Sequence, residues 1–311
     1  MDLHEAVRHG LAFGAERSRG VAAHRAASRF AGVVQHAGYL ILEGDSWFSF
    51  PLHDEVTERL RDDFNYKTRS AAHHGDTAAQ MANLPKQLEK LEQVFRDLAE
   101  DRHVARAILL SCGGNDVMDA LGALMNPRAA GAGVWHPEVR RVVLREQLPI
   151  AIATLIGAVV EFSRSYFRQQ VRPIIIHGYG NPVPDGRAYR VVLTLSGPWM
   201  KPVFARKGYV SAEPQPRPEL QRNADAMADL MAEFNDAVLP GVRDAVNQQV
   251  GQPVVHYVDV RHALSGDLAG EAYEDDWKDE LHPTGPGFGR VASLIDEAIR
   301  AAAPQVPPDL G

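Results

Sequence analysis

Residues that can carry out acid–base and nucleophilic chemistry lie in short polar blocks along this chain. Ser46 belongs to a Gly-Asp-Ser-Trp block at 44–47, and His282 follows Asp279 by three positions. A serine nucleophile needs a base that accepts its proton, and the base needs a carboxylate that fixes its tautomer. The spacing lets Asp279 accept a hydrogen bond from Nδ1 of His282, which leaves Nε2 to face Ser46. These three side chains are therefore candidates for serine-based hydrolysis.

Such chemistry also needs N–H groups that stabilise the negative oxygen of a tetrahedral intermediate. Ser46 lies on a turn between a strand and a helix, where its backbone N–H can point at an anion. Gly75, in a His-His-Gly-Asp block at 73–76, offers an unhindered backbone N–H. Asn115, in a Gly-Gly-Asn-Asp block at 113–116, offers a side-chain amide. The sequence thus contains three candidate donors for an oxyanion hole.

The polar blocks follow apolar segments whose length is typical of buried strands. These segments are 39–42, 107–110, 173–176 and 253–258, with a weaker candidate at 66–71. Strands this apolar are expected when helices cover both faces of a sheet. Because ligands bind beyond the carboxyl ends of parallel strands, we expect the blocks to converge at one edge of the sheet.

Apolar residues at helical spacing occur between and after the strand segments. The stripes consist of Leu84, Leu88, Leu91, Phe95 and Leu98; of Leu220, Ala224, Met227, Met231, Phe234 and Val238; and of Phe288, Ala292, Ile295 and Ile299. Each stripe predicts a helix that buries one face. The alternation of strands and helices predicts an α/β fold with a central parallel sheet of about five strands.

Taken together, the blocks resemble the SGNH (GDSL-type) hydrolase family, which is named for serine, glycine, asparagine and histidine in four sequence blocks. Gly-Asp-Ser at 44–46 resembles the first block, and Gly75 stands where the second has its glycine. Gly-Gly-Asn-Asp at 113–116 and Asp-x-x-His at 279–282 resemble the other two. The resemblance spans about 39–300. It implies a flavodoxin-like, three-layer α/β/α sandwich that hydrolyses esters without a metal or cofactor.

The resemblance also implies the roles of individual residues. Ser46 is then the nucleophile, His282 the base and Asp279 the residue that orients the base. The backbone N–H groups of Ser46 and Gly75 and the side chain of Asn115 form the oxyanion hole. Members of the family act on small-molecule, lipid and carbohydrate esters, and the sequence does not choose among these substrates.

Two observations qualify the resemblance. Trp47 replaces the leucine that usually follows the serine, at a position that the family varies. The Gly-x-Ser-x-Gly motif of α/β-hydrolases is absent, as are the glycine-rich motifs that bind dinucleotides and nucleoside triphosphates. The nucleotide-binding classes therefore lose their main support.

An active site drawn from both ends of the chain favours one domain over two. We predict a hydrolase domain over 37–302 with insertions at 118–170 and 185–217, preceded by a helical extension at 1–36. Loops beside strand ends often carry specificity, so the insertions are the expected specificity elements. The proline-rich residues at 303–311 are predicted to be a disordered tail.

Composition argues against several kinds of binding partner and bears on where in the cell the protein is expected. A formal net charge of −7 argues against nucleic-acid binding. A single cysteine, Cys112, excludes an intrachain disulfide framework and a zinc site built from cysteines. No signal peptide is evident, and the apolar run at 148–160 is shorter than the roughly 20 residues that span a bilayer. We therefore expect a cytoplasmic protein without stable membrane insertion, of unknown oligomeric state.

Other functions stay open at this stage. His73, His74 and Asp76 together with Asp45 offer ligand types that suit a metal-dependent hydrolase. An acyltransferase and a non-catalytic binding module on the same fold are further alternatives. The aromatic residues placed to bind substrate are Trp47, Tyr179 and Trp199. Pro198 and Met200 beside Trp199 suggest an apolar wall and hence a simple acyl ester.

Overall fold

A computed structural model describes residues 1–18, 36–50, 55–191, 194–269 and 272–310, with the backbone alone for 190, 191 and 194–196. The strands are β1 (Tyr39–Gly44), β2 (Lys67–Ser70), β3 (Ala105–Ser111), β4 (Ile174–His177), β5 (Tyr189–Val191), β6 (Thr194–Ser196) and β7 (Val255–Val258). Five of them form one parallel sheet, and β5 and β6 form a separate antiparallel ribbon. The predicted parallel sheet of about five strands is confirmed.

The order of strands in the sheet is β2-β1-β3-β4-β7. This is the flavodoxin-like order, in which the chain reverses direction across the sheet between β1 and β3. Gly44 at the end of β1 lies opposite Ser111 at the end of β3. A Cβ at Gly44 would lie 2.6 Å from the Ser111 carbonyl oxygen, so only glycine permits this approach. The crevice that binds ligands in such folds opens beyond these two strand ends.

Helices cover both faces of the sheet, which gives three layers. They are α1 (Leu3–Ser18), α2 (Val56–Asp62), α3 (Ala78–Asn83), α4 (Pro85–Glu100), α5 (Gly114–Leu124), α6 (Pro137–Val142), α7 (Leu148–Tyr166), α8 (Lys201–Arg206), α9 (Arg217–Glu233), α10 (Leu239–Val250), α11 (Tyr273–Asp276) and α12 (Gly285–Ala302). Two π-helical turns, Val143–Gln147 and Phe234–Val238, join α6 to α7 and α9 to α10. Helices α2 and α12 pack together in one layer, and α4, α7 and α10 pack in the other.

The three predicted helical stripes are confirmed as buried faces of α4, of α9 with the π-helical turn that follows it, and of α12. One residue differs from the prediction. Leu84 precedes α4 and is 48% exposed, because Pro85 begins the helix. A proline is favoured at a first helical position since its missing N–H has no partner there.

The segment predicted as an insertion at 118–170 holds the crossover between β3 and β4. Most of α7 is buried, and only the stretch between α5 and α6 is a loop. The continuous helix Pro137–Tyr166 is the one helix in the described residues that is long and apolar enough to cross a membrane. Because 67% of its most apolar window is buried inside the protein, it resembles the core helix of a soluble protein. A cytoplasmic location stays a prediction.

The N-terminal extension begins as a helix that covers α7. A Cβ at Gly10 would lie 2.1 Å from the Thr154 carbonyl oxygen, and one at Gly157 would lie 2.7 Å from the Val7 carbonyl oxygen. Both glycines thus let the two helix backbones touch. Helix α1 ends at Ser18 and residues 19–35 lie outside the described residues, so the helical extension at 1–36 stays a prediction.

The C-terminal residues 303–310 do not agree with the predicted disorder. The buried Arg106 guanidinium donates to the Ala303 carbonyl oxygen at 2.7 and 2.9 Å. Further along, the Asp309 carboxylate lies 2.8 Å from Nδ1 of His103, and the Leu310 N–H donates to the Arg102 carbonyl oxygen at 2.6 Å. The proline-rich composition indicated disorder, but these polar contacts hold the segment against the domain.

Candidate active site

The turn after β1 places Ser46 beyond the sheet edge. The Asp45 N–H donates to the Ser111 carbonyl oxygen at 3.1 Å, which extends the pairing of β1 with β3 by one residue. The Asp45 carboxylate then accepts from the Trp47 N–H at 3.0 Å, and the Asp45 carbonyl oxygen accepts from the Phe48 N–H at 3.1 Å. The chain therefore turns sharply at Ser46, which is 8% exposed.

Ser46, His282 and Asp279 form one continuous hydrogen-bond series. The Ser46 hydroxyl lies 2.8 Å from Nε2 of His282, and Nδ1 of His282 lies 3.0 and 2.9 Å from the two carboxylate oxygens of Asp279. Asp279 is fully buried, and one of its oxygens also accepts the backbone N–H groups of Leu281 and His282 at 2.8 Å. This network assigns the proton to Nδ1 and leaves Nε2 as the acceptor of the serine proton.

A second, buried polar network holds Asp45 in the turn before Ser46. The buried Asp45 carboxylate accepts from the Ser111 hydroxyl at 2.8 Å and from the Tyr179 hydroxyl. The two hydroxyl oxygens lie 3.3 Å apart. Burial raises the pKa of both Asp45 and Tyr179, and the hydrogen bonds to Asp45 oppose that rise for the carboxylate. This network fixes the residue directly before the candidate nucleophile.

The two predicted oxyanion donors outside the turn at Ser46 lie in contacting segments. Nδ2 of Asn115 donates to the Asp76 carbonyl oxygen at 2.9 Å, which uses one of its two hydrogens. Gly75 occupies the third position of the turn from His73 to Asp76, where its φ of +85° fits a type II turn. Within the described residues, the N–H groups of Gly75 and Ser46 donate to no protein acceptor. Asn115 thus ties its helix to the turn that carries Gly75.

Asp116 reinforces the same tie. Its carboxylate accepts from the backbone N–H groups of Ala78 and Ala79 at 2.7 and 3.2 Å, at the start of α3. Thr77 caps that helix in a capping box with Gln80. Asn115 thus binds the His-His-Gly-Asp block directly, and Asp116 binds the start of the helix that follows it.

A small cavity of about 40 Å³ opens beside Ser46 and Asn115. Its apolar walls include Trp47, Met118, Tyr179, Pro182, Met231 and Trp277. The predicted substrate-binding residues Trp47 and Tyr179 thus line it. Trp199 does not line the cavity; its ring packs edge-on against His282, with centroids 5.4 Å apart. Met200 beside it is fully buried rather than part of an open wall.

Asn235, which the sequence reasoning missed, positions one wall of that cavity. Its side chain accepts from the Tyr179 N–H at 3.2 Å and donates to the Tyr179 carbonyl oxygen at 3.0 Å. It also donates to the Met231 carbonyl oxygen at 2.8 Å. Asn235 lies in the second π-helical turn, and no local pattern distinguishes it from a surface asparagine beside the apolar Phe234.

The alternative metal site is not assembled by this arrangement. Asp45 bonds to Ser111 and Tyr179, whereas the side chain of His73 is 58% exposed and lies 3.6 Å from Asp76. The rings of His73 and His74 stack on each other at 4.3 Å between centroids. The described residues contain no group of three or more histidine, cysteine, aspartate or glutamate side chains that could hold a metal ion.

The fold and the site define a class: a three-layer α/β/α sandwich with a Ser–His–Asp series at the switch point of its sheet. No family model and no curated protein matches the chain. Among solved structures, the fold is similar to a GDSL-like lipase from Parabacteroides merdae, with a TM-score of 0.43 and 12% identity over 85% of this chain and 96% of that one.

Two further solved structures are similar to this chain at comparable TM-scores and identities. A GDSL-like lipase from Bacteroides thetaiotaomicron has a TM-score of 0.41 and 14% identity over 97% of this chain and 100% of that one. A catalytic mutant of an acetylxylan esterase from Geobacillus stearothermophilus has a TM-score of 0.39 and 13% identity over 85% and 94%. These names include the family that the sequence blocks resemble. At such identities and TM-scores the function has to be inferred from the site itself.

Proposed function

We propose that this protein is a serine hydrolase that cleaves carboxylic esters through an acyl-enzyme. The observation that carries the proposal is the hydrogen-bond series from the Ser46 hydroxyl through His282 to the buried Asp279. Such a series is what makes a serine hydroxyl nucleophilic at neutral pH. Its place beyond the ends of β1 and β3 is where this fold binds ligands.

In the first half of the reaction, the Ser46 oxygen attacks the ester carbonyl while Nε2 of His282 takes the serine proton. Asp279 stabilises the imidazolium that results and keeps the ring in place. The negative oxygen of the tetrahedral intermediate accepts from the N–H groups of Ser46 and Gly75 and from the second hydrogen of the Asn115 amide. When the intermediate collapses, His282 protonates the leaving alcohol, and Ser46 keeps the acyl group.

In the second half, water replaces the alcohol. Nε2 of His282 takes a proton from that water as it attacks the acyl-enzyme carbonyl, and the same donors receive the oxyanion again. His282 then returns the proton to Ser46 as the carboxylic acid leaves. Every group thus finishes in its starting protonation state, so no metal or cofactor is needed for turnover.

The size of the cavity supports a short acyl group. The cavity is small, at about 40 Å³, and it opens directly beside Ser46, where the acyl group of a bound ester would lie. The apolar walls suit a hydrocarbon end. We therefore infer that acetyl and propionyl esters fit without rearrangement, whereas chains of roughly six carbons or more require the walls to move.

Nitrophenyl esters of rising acyl length test both parts of the proposal. We expect turnover to be highest for the acetyl and propionyl esters, and Ser46→Ala to abolish it. Ser49→Ala is the matched control, since Ser49 lies in the same turn but its hydroxyl makes no hydrogen bond to the described residues. Wild-type activity in Ser46→Ala would overturn the mechanism, and a flat response to acyl length would overturn only the size limit.

A further inference from the structure

Glu280 is fully buried and has an unusual set of hydrogen-bond partners. One carboxylate oxygen accepts from the N–H groups of Gly186 and Lys201 at 3.0 and 2.9 Å. The other accepts from the N–H groups of Trp199 and Met200 at 2.6 and 2.7 Å. All four donors belong to the predicted insertion at 185–217, although Glu280 lies 79 to 94 residues away from them in the sequence.

The adjacent carboxylates of Asp279 and Glu280 therefore bind two different parts of the protein. Asp279 binds the imidazole of His282, and Glu280 binds the backbone of the insertion. No cation pairs with Glu280 among the described residues, because the Lys201 ammonium bonds to Glu213 and to the Asp185 carbonyl oxygen. The loop that carries the base is thus tied directly to the insertion.

We propose that Glu280 is a positioning residue that holds Trp199 against His282 and thereby shapes the subsite for the leaving alcohol. The proposal rests on the proposed ester hydrolysis. His282 protonates the alcohol, so the alcohol must lie next to the imidazole, and the Trp199 ring is 5.4 Å from it. Trp199 does not line the cavity beside Ser46 and instead packs against His282, so it lies beside the group that protonates the alcohol.

The chemistry of this subsite favours alcohols with an apolar face. Trp199 is partly exposed. The Phe50 ring also packs against the His282 ring, with centroids 4.3 Å apart. Two aromatic rings beside the base offer flat contacts to a benzyl-type alcohol and almost none to ethanol. A fixed Trp199 therefore selects the alcohol without changing the chemical step.

Glu280→Gln keeps the shape of the side chain but replaces one accepting oxygen by a donating amide. Two of the four backbone N–H groups then face another donor, so the segment around Trp199 loses its anchor. Glu219→Gln is the matched control. Glu219 is also buried and accepts from the Ser211 N–H of the same insertion at 2.9 Å, but its other partners are Arg128 and Arg222 rather than the loop that carries His282.

The measurement compares kcat/KM for benzyl acetate and ethyl acetate, which share the acyl group. We expect Glu280→Gln to lower the benzyl-to-ethyl ratio by about tenfold, mainly through KM, since contacts of this size discriminate by roughly 10–200-fold. Glu219→Gln should leave the ratio unchanged. Trp199→Ala should reproduce the loss, and the double variant should show no further loss, because both changes remove one interaction.

A wild-type ratio in Glu280→Gln, or additive losses in the double variant, would overturn the positioning role. If Glu280→Gln does not fold, hydrogen exchange of the wild-type protein provides the test. The amides of Gly186, Trp199, Met200 and Lys201 should then be protected, and rapid exchange would contradict the anchor. Failure of a fluorophosphonate to label Ser46 in the wild type would instead count against the proposed function.

Discussion

The two sides of the candidate site differ in burial and in the number of hydrogen bonds that hold their side chains in place. On the triad side, Asp279 is fully buried and accepts from two backbone N–H groups and from Nδ1 of His282. On the proposed oxyanion side, Gly75 lies on an exposed turn, which the side-chain amides of Asn115 and Gln87 bind at Asp76. We expect the proposed nucleophile and base to be preorganised on this densely held side, whereas the proposed oxyanion turn, on the exposed and more sparsely held side, can be weakened without unfolding the domain.

The largest effect is expected from Asp279→Asn. The amide would favour the wrong tautomer of His282 and leave Nε2 protonated toward Ser46. In a related triad such a change lowers kcat by about 10,000-fold, and we expect a loss of that order here. Steady-state kinetics on an acetyl ester measures it. A loss of less than about tenfold would mean that the dense side is structural rather than catalytic.

Asn115→Ala should have the next largest effect and tests the sparse side. Removing one oxyanion donor typically costs about 2.7–4 kcal/mol of transition-state stabilisation, or about a hundred- to a thousandfold in kcat. We expect this loss with only a small decrease in melting temperature, because Asn115 makes one part-buried hydrogen bond, to the Asp76 carbonyl oxygen. Asn126→Ala is the matched control, because Asn126 donates to the carbonyl oxygens of Gly133 and Trp135 outside the site. Equal losses in the two variants would remove Asn115 from the mechanism.

Glu43 is a buried carboxyl near the end of β1, and we expect it to make the stability of the protein depend on pH. Burial raises the pKa of its carboxyl to about 8, with the negative charge of Asp76 acting in the same direction and the Gly44 N–H opposing it. Because the folded protein then holds a proton that the unfolded chain releases near pH 4.5, this group's contribution to stability is present at low pH and is lost as the pH rises toward 8.

The slope from this one group approaches about 1.4 kcal/mol per pH unit between those two values. Glu43→Gln mimics the protonated form and should remove that slope. Urea unfolding at several pH values between 5 and 8 compares the two proteins. Parallel pH profiles for wild type and variant would show that Glu43 is already ionised in the folded protein.

Tyr179→Phe should have the smallest effect and tests the network below Ser46. The change leaves the buried Asp45 with one fewer donor, which costs about 1–3 kcal/mol of stability. Tyr66→Phe is the matched control, since it removes a buried hydroxyl that donates to Asp296 at 2.8 Å away from the site. We expect a similar loss of stability in both variants by urea unfolding, and a loss of activity in Tyr179→Phe alone.

Much of the framework followed from local patterns in the sequence. The apolar strand segments and the helical stripes predicted a parallel sheet covered by helices, because strand and helix periods are local properties. The Ser46 and His282 blocks were recognisable since each places reactive residues directly after a strand or at the start of a helix. The spacing of Asp279 and His282 alone indicated their contact.

Contacts between distant parts of the chain were not predictable in this way. Glu280 binds backbone N–H groups of a segment that precedes it by many residues, and Asn235 binds the backbone of Tyr179. Neither uses a recognisable spacing, because backbone groups carry no sequence signal. The ordered tail was missed for the same reason, since the acceptor for Arg106 is the carbonyl oxygen of Ala303.

The central claim, an activated serine at position 46, is tested most directly by covalent labelling with a small fluorophosphonate followed by peptide mass spectrometry. We expect one label per chain on Ser46, and markedly slower labelling in His282→Ala because the base is gone. A folded wild-type protein that stays unlabelled, or one labelled equally fast without His282, would contradict it.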